Sequence, residues 1–371
     1  MQKEFIGKDS LKKIQEIIDR TDTKNIFLVT GRESFSLSGA KKALNNLLKG
    51  RKVIIFDSFQ SSPQLEDVEQ GVSLLRHNHS DLVVAIGGGS VIDMAKLINI
   101  LVAQSDMDLF NIIKNPNLIK NKGIPLVAIP TTAGSGSQAT HFAVVYVEKR
   151  KYSLAHDYLL PDYVIVDPVL SYKTSKKVAA NSAMDALSQA IESYWSLNAT
   201  HESQSYALDA IKLILGSINL AVNSKDKVAM QTMSLASHLS GKAINITKTT
   251  APHAISYTLT SDFDIPHGYA VASLLAPVAY VSFNNASNKY KDVMNEVFEL
   301  FDCRSVDEFC KIWRQLMQNC GLHSKLEDSN VPLNKLDFIV DNVNLERLKG
   351  HPVLLTRLDL ERIVRMAITG Y

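Results

Sequence analysis

A chain of 371 residues, 46% of them apolar, is long enough for two domains, each with its own hydrophobic core. The formal charge of +2 is close to balance and basic side chains are nowhere interleaved with aromatic ones, so a nucleic-acid backbone is not an expected partner. The start, Met1-Gln2-Lys3-Glu4-Phe5, lacks a signal-peptide core, and the longest uncharged run, 269–285, carries Pro277 and polar residues; no membrane span is expected, and a cytoplasmic location is.

In chain order, residues 25–30 (Asn-Ile-Phe-Leu-Val-Thr) read as a buried strand ending at Gly31, followed by a helix over 39–49. A second strand covers 53–57, a helix 65–77, and a third strand, 81–86, runs into Gly87-Gly88-Gly89-Ser90. A helix from Val91 and a fourth strand over 125–130 follow, with a further β-branched run over 164–166. Strands alternating with helices predict an α/β domain over 1–170, its sheet mostly parallel with helices on both faces. Beyond about 170 the pattern is helical, over 176–196, 203–223, 226–245, 268–284, 287–301, 305–320 and 357–368, which predicts an all-α domain over 171–371. Its cysteines, Cys303, Cys310 and Cys320, have spacings unlike a zinc knuckle or a redox pair and read as reduced thiols.

Two loops have the chemistry of a phosphate cradle. Gly87-Gly88-Gly89-Ser90-Val91-Ile92-Asp93 joins a strand end to a helix start, where glycines let a ligand approach and free amides favour an anion. Thr131-Thr132-Ala133-Gly134-Ser135-Gly136-Ser137 follows the fourth strand in the same way and adds hydroxyl donors. A tight turn explains either loop alone; the pair points to a dinucleotide pyrophosphate. At the first strand's end, Gly31 removes bulk and Arg32 can meet a 2′-phosphate, which favours NADP, while Glu33 keeps NAD open.

In the second half, Asp185 lies in an apolar helical stretch, Asp185-Ala186-Leu187-Ser188-Gln189-Ala190-Ile191-Glu192, so it needs a partner. Gln189 stands one turn away on the same face. His253 and His267 complete a carboxylate and two imidazoles, a common set for a divalent ion such as zinc or iron(II). Lys242, Asn245, Lys248 and Thr249 precede His253 closely and offer cations and polar groups to an anionic substrate.

The motifs Gly-Gly-Gly-Ser-Val-Ile-Asp, Pro-Thr-Thr-Ala-Gly-Ser-Gly-Ser, Asp-Ala-Leu-x-x-Ala-Ile-Glu and His-Ala ahead of Pro-His-Gly occur in this order. They resemble the iron-containing (group III) alcohol dehydrogenase family, from about residue 5 to the C-terminus. The resemblance implies a dehydroquinate synthase-like fold, with a dinucleotide domain followed by a helical metal and substrate domain. It implies metal ligands at Asp185, Gln189, His253 and His267, and cofactor contacts at Gly88, Gly89, Ser90, Asp93, Thr131, Thr132, Ser135 and Lys151. Most of the family has histidine where Gln189 stands, and much of it has a second histidine where Tyr257 stands, so a proton relay there would use a phenol. Catalytic roles are accordingly expected at His253, His267, Tyr257 and Lys248. Within the family, 241–257 and 184–195 are similar to phosphonoacetaldehyde reductases, which implies NADP or NAD, one Fe2+ or Zn2+ ion, and a phosphonate-bearing aldehyde. Reduction of uncharged aldehydes of the lactaldehyde or propanediol type is the first alternative, and a dehydroquinate synthase-like lyase the second. The expected partners are a small aldehyde or alcohol and further copies of the chain, as a homodimer or larger oligomer.

Overall fold

Successive side chains of a strand point to opposite sides, and this chain loads both sides with apolar groups. Ile26, Leu28, Leu82, Val84 and Ile86 pack into one core, while Phe27, Val29, Val83 and Ala85 pack into another. A computed structural model describes residues 2–104, 108–148 and 150–370, so the outermost residues of the two expected domains, Met1 and Tyr371, lie outside the described residues. The chain divides into two compact units, Met1–Thr174 and Ser175–Tyr371.

In the first unit, β1 (Lys3–Ile6), β2 (Asn25–Thr30), β3 (Lys52–Phe56), β4 (Leu82–Gly87), β5 (Leu126–Pro130) and β8 (Tyr163–Val166) form one sheet. Its order is β1-β8-β5-β4-β2-β3 and every pairing is parallel. Helices α1 (Ile14–Arg20), α2 (Arg32–Leu37) and α3 (Ala40–Leu47) cover one face. The other carries α4 (Leu65–Asn78), α5 (Gly89–Val102) and α6 (Leu109–Lys114), with an antiparallel hairpin of β6 (Phe142–Val147) and β7 (Arg150–Ala155). The hairpin and the edge strand β1 were not among the expected elements. From β2 the chain goes outward to β3, then returns past β2 to β4 and continues through β5 to β8. The direction of winding therefore reverses between β2 and β4, where open α/β sheets leave a crevice at the carboxyl ends of their strands.

Every named element of the second unit is a helix: α7 (Lys176–Trp195), α8 (His201–Asn219), α9 (Lys227–Thr247), α10 (Ala251–Asp262), α11 (His267–Asn285), α12 (Asn288–Glu299), α13 (Val306–Asn319), α14 (Leu336–Asp341), α15 (Leu345–Leu348) and α16 (Arg357–Thr369), joined by short 3-10 and π turns. Helix α10 is an addition to the expected set. Pro252 falls in its first turn, where the missing N–H would have no intrahelical partner anyway. Helix α11 packs against both α7 and α10. The uncharged run 269–285 is the body of α11 and is largely buried. Among the described residues one helix, His201–Ser224, is long and apolar enough to cross a membrane, and 44% of its apolar window is buried. Cys303, Cys310 and Cys320 are buried free thiols, and burial pushes Cys303 and Cys320 up to about 11.

Candidate metal centre and dinucleotide loops

Helix α7 is capped by Ser175, whose hydroxyl accepts from the Val178 amide, and it buries one face completely. That face carries Asp185, Gln189 and Glu192, spaced by four and three residues. His253 lies in the first turn of α10, and His267 is the first residue of α11, after Pro266. The packing of these helices brings one ligand atom each from Asp185, His253 and His267 within 4.8 Å of one another. Gly268 permits it. A Cβ there would overlap the Asn181 carbonyl oxygen and stand 3.0 Å from the Asp185 Cβ, so only glycine lets α11 start against α7.

Asp185 Oδ1 and His253 Nε2 are both buried without a hydrogen-bond partner, and they lie 3.4 Å apart. A carboxylate oxygen and an imidazole nitrogen left unsatisfied side by side fit a shared cation, which would complete both. The electrostatics agree. Burial acts against charge on His253, but Glu192 and Asp185 outweigh it and raise its pKa to about 9. Burial likewise acts against the Asp185 carboxylate, yet His253, His267 and the Gln189 amide hold it below the usual range. Such a site favours positive charge in its centre.

Behind the triad is a buried support that motif reading did not assign. Glu192, fully buried, places Oε1 2.5 Å from His253 Nδ1. Its Oε2 accepts from Thr250 N at 2.7 Å and Thr250 Oγ1 at 3.1 Å, and Trp195 Nε1 donates to Thr250 Oγ1 at 3.3 Å. The signal for Glu192 was its position seven residues after Asp185, two turns along one apolar-flanked face.

The other expected residues are distributed as follows. Gln189 adjoins Asp185, and its Oε1 is 3.4 Å from Ser240 Oγ. Tyr257 is one turn beyond His253 on α10; burial pushes its phenol up, Arg347 opposing, so it keeps its proton at neutral pH. Lys242 holds its ammonium 4.7 Å from the Tyr206 ring centroid, a cation–π contact. Asn245 is half-buried on α9, Thr249 is buried, and Lys248 is exposed with a left-handed backbone, φ 62°.

In the first unit, Gly31, Gly88, Gly89, Ser90, Thr131, Thr132 and Ser135 gather at the carboxyl ends of β2, β4 and β5, flanking the winding reversal. A Cβ on Gly88 would lie 3.6 Å from Thr132 Oγ1 and one on Gly89 2.6 Å from Ser135 Oγ, so the two loops touch. Helix α5 starts at Gly89 with no side-chain cap, which leaves its first amides for an anion. Gly88 and Gly89 thus form a cradle that any side chain would fill, and it fits a pyrophosphate. Arg32 donates to Asp57 O at 3.2 Å and Ser58 Oγ at 3.1 Å. Asp93 accepts from Ser137 Oγ at 2.5 Å and Val144 N at 3.0 Å, and Lys151, on β7, exerts its charge on it. Between loop and helix, Lys96 was missed. Its buried ammonium donates to Ser137 O, Thr140 O and Phe142 O at 2.6–2.9 Å. Burial brings its pKa down to about 8, with Asp93 opposing.

Comparison with known proteins agrees with both halves. Residues 2–168 match the model for "Iron-containing alcohol dehydrogenase", and residues 179–368 that for "Fe-containing alcohol dehydrogenase family, C-terminal". Long-chain-alcohol dehydrogenase 1 of Geobacillus thermodenitrificans is 31% identical, covering 98% of this chain and 95% of that protein. The NAD-dependent methanol dehydrogenase of Bacillus methanolicus is 32% identical over 98% of this chain and 97% of its own. The crystal structure of sulfoacetaldehyde reductase from Bifidobacterium kashiwanohense, in complex with NAD+, superimposes with a TM-score of 0.89 at 28% identity, covering 100% of this chain and 98% of that one. With both family models matched in order and a reversing parallel sheet followed by helices, this chain is an oxidoreductase of the iron-containing alcohol dehydrogenase family.

Proposed function

We propose that the chain is a metal-dependent, NAD(P)H-linked reductase of a small aldehyde bearing an anionic group, converting phosphonoacetaldehyde to 2-hydroxyethylphosphonate. The observation that carries the reading is the convergence of Asp185, His253 and His267, with two of their atoms unsatisfied. In this reading residues 1–170 bind the dinucleotide through Gly31, Gly88, Gly89, Ser90, Thr131, Thr132 and Ser135, with Asp93 and Lys151 behind them, and residues 171–371 hold the metal and the substrate. Asp185, His253 and His267 hold the cation, with Gln189 beside Asp185 as a neutral fourth group. When bound, the metal supplies a Lewis acid and the dinucleotide a hydride. The carbonyl carbon gains that hydride and its oxygen a proton, so aldehyde, NAD(P)H and H+ give alcohol and NAD(P)+. Tyr257, neutral and one turn from His253, holds a proton at its phenol oxygen for that oxygen to receive.

Lys248 and Thr249, with Asn245 and Lys242 one and two turns earlier, would meet the anionic group. A reductase of sulfoacetaldehyde among the similar structures supports this class, since a sulfonate and a phosphonate present the same oxygen acceptors. The second reading, an uncharged aldehyde, is favoured by the Lys242 ammonium being engaged over the Tyr206 ring, and by relatives named for methanol and long-chain alcohols. A lyase has no such support, because the family is one of oxidoreductases.

The test is a panel of phosphonoacetaldehyde, lactaldehyde and propanal with NADH and NADPH, before and after chelation. Lys248→Met should raise KM for the phosphonate about tenfold, the worth of one charge-assisted bond of about 1.4 kcal/mol, and leave propanal unchanged. An equal effect on both aldehydes removes the anionic substrate. Full activity after complete chelation removes the metal.

A further inference from the structure

We infer that Glu192 is a positioning residue that fixes which nitrogen of His253 is free to bind a cation, and that Thr250 and Trp195 fix Glu192. The inference rests on the metal reading above and adds to it a residue outside the ligand set.

Thr250 offers two donors to Glu192 Oε2: its backbone N–H at 2.7 Å and its hydroxyl at 3.1 Å. The hydroxyl hydrogen has little choice, because the Trp195 indole N–H already fills a lone pair on that oxygen, at 3.3 Å. Oε2 is therefore committed as an acceptor. The other oxygen, Oε1, sits 2.5 Å from His253 Nδ1, and a carboxylate can only accept, so Nδ1 carries the hydrogen. Nε2, the atom 3.4 Å from Asp185 Oδ1, is thereby the nitrogen whose proton a metal displaces to take its lone pair. All three supporting side chains, Glu192, Thr250 and Trp195, are at most 1% exposed, so no solvent competes for these bonds.

Glu192→Gln isolates the effect, since it changes shape hardly at all. Thr250 still presents two donors, so the amide oxygen must face Thr250, and the NH2 group then faces His253 Nδ1. Nδ1 becomes an acceptor, the one hydrogen of the neutral ring is kept on Nε2, and the nitrogen beside Asp185 is blocked. The measurements are Zn2+ affinity by chelator competition, the melting temperature of the metal-free chain, and histidine 15N spectra of the zinc-loaded chain. E192Q should bind Zn2+ about 100-fold more weakly, at the upper end for a partner behind a ligand, while the metal-free variant still folds and melts in a cooperative transition. Zinc-loaded wild type should show His253 with hydrogen on Nδ1 and metal on Nε2. E192Q binding Zn2+ as tightly as wild type, or wild type carrying the hydrogen on Nε2, overturns the role of Glu192 while the metal reading stands. Wild type failing to bind any divalent ion overturns both.

Discussion

His351 is the buried residue whose behaviour the pH of the solution should expose most plainly. Its Nε2 is 2.8 Å from Ser282 Oγ, its Nδ1 has no partner, and the Trp195 ring stands edge-on to it at 6.3 Å. Burial alone pushes its pKa down to about 3, so the folded chain keeps it neutral. An unfolded histidine titrates near 6.5. Between those values the unfolded state binds the extra proton, so stability is fully present above about 6.5 and drains as pH falls toward 3, by something on the order of 4 kcal/mol. His351→Gln can keep a bond to Ser282 and has no proton to gain. Melting from pH 7 to pH 4 should therefore fall less steeply in H351Q than in wild type; parallel slopes would show that His351 is not the acid-sensitive group. Nothing in the order of residues marked this histidine, because its burial comes from distant helices. The triad was legible, since Asp185, His253 and His267 sit in motifs of fixed chemistry. The bond from Glu192 to His253 was not, because 61 residues separate them.

At the scale of elements, the meeting of α7 and α11 decides whether the triad exists. Alanine in place of glycine inside a helix ordinarily gains about 1 kcal/mol. At Gly216, in α8, a Cβ meets nothing within 4 Å, so Gly216→Ala should gain that amount. At Gly268 the same Cβ would enter the Asn181 carbonyl, and overpacking of about 1–3 kcal/mol outweighs the gain. Gly268→Ala should melt lower and bind Zn2+ more weakly, because relief of the clash moves His267 away from Asp185. If G268A melts at or above wild type with unchanged zinc affinity, the close approach has no bearing on the site. Helix α7 could be read from its cap and its periodicity, whereas α10 was hidden by Thr-Thr-Ala-Pro-His, which looks like a turn until proline's tolerance of a first helical turn is applied. Strand β1, only four residues with two of them charged, carries too little alternation to register, and the β6–β7 hairpin pairs across a connection too short to stand out.

For the molecule as a whole, alternation of strands with helices followed by helices alone gave the two architectures, but strand order could not be read. Order depends on which side each crossover takes, and that is set by packing between strands distant in the chain, as with β1 beside β8. The division into two units bears on stability in a measurable way. The proposed metal ligands all lie in Ser175–Tyr371 and the glycine cradle in Met1–Thr174. Anything that binds the folded state alone stabilises it by RT ln(1 + [L]/Kd), about 2.7 kcal/mol at a hundredfold excess over Kd. For a unit of about two hundred residues that is a rise in melting temperature of roughly 5–10 °C. Zn2+ or Fe2+ should therefore shift the transition of the helical unit by this much, and Asp185→Asn, which removes the one carboxylate of the proposed ligand set, should abolish the shift while leaving the response to NAD(P)H intact. Separate transitions, each answering to its own ligand, would locate the two sites independently of any activity measurement. A metal shift that survives D185N would put the cation elsewhere, and a NAD(P)H shift lost in D185N would mean that the dinucleotide does not depend on the first unit's loops alone.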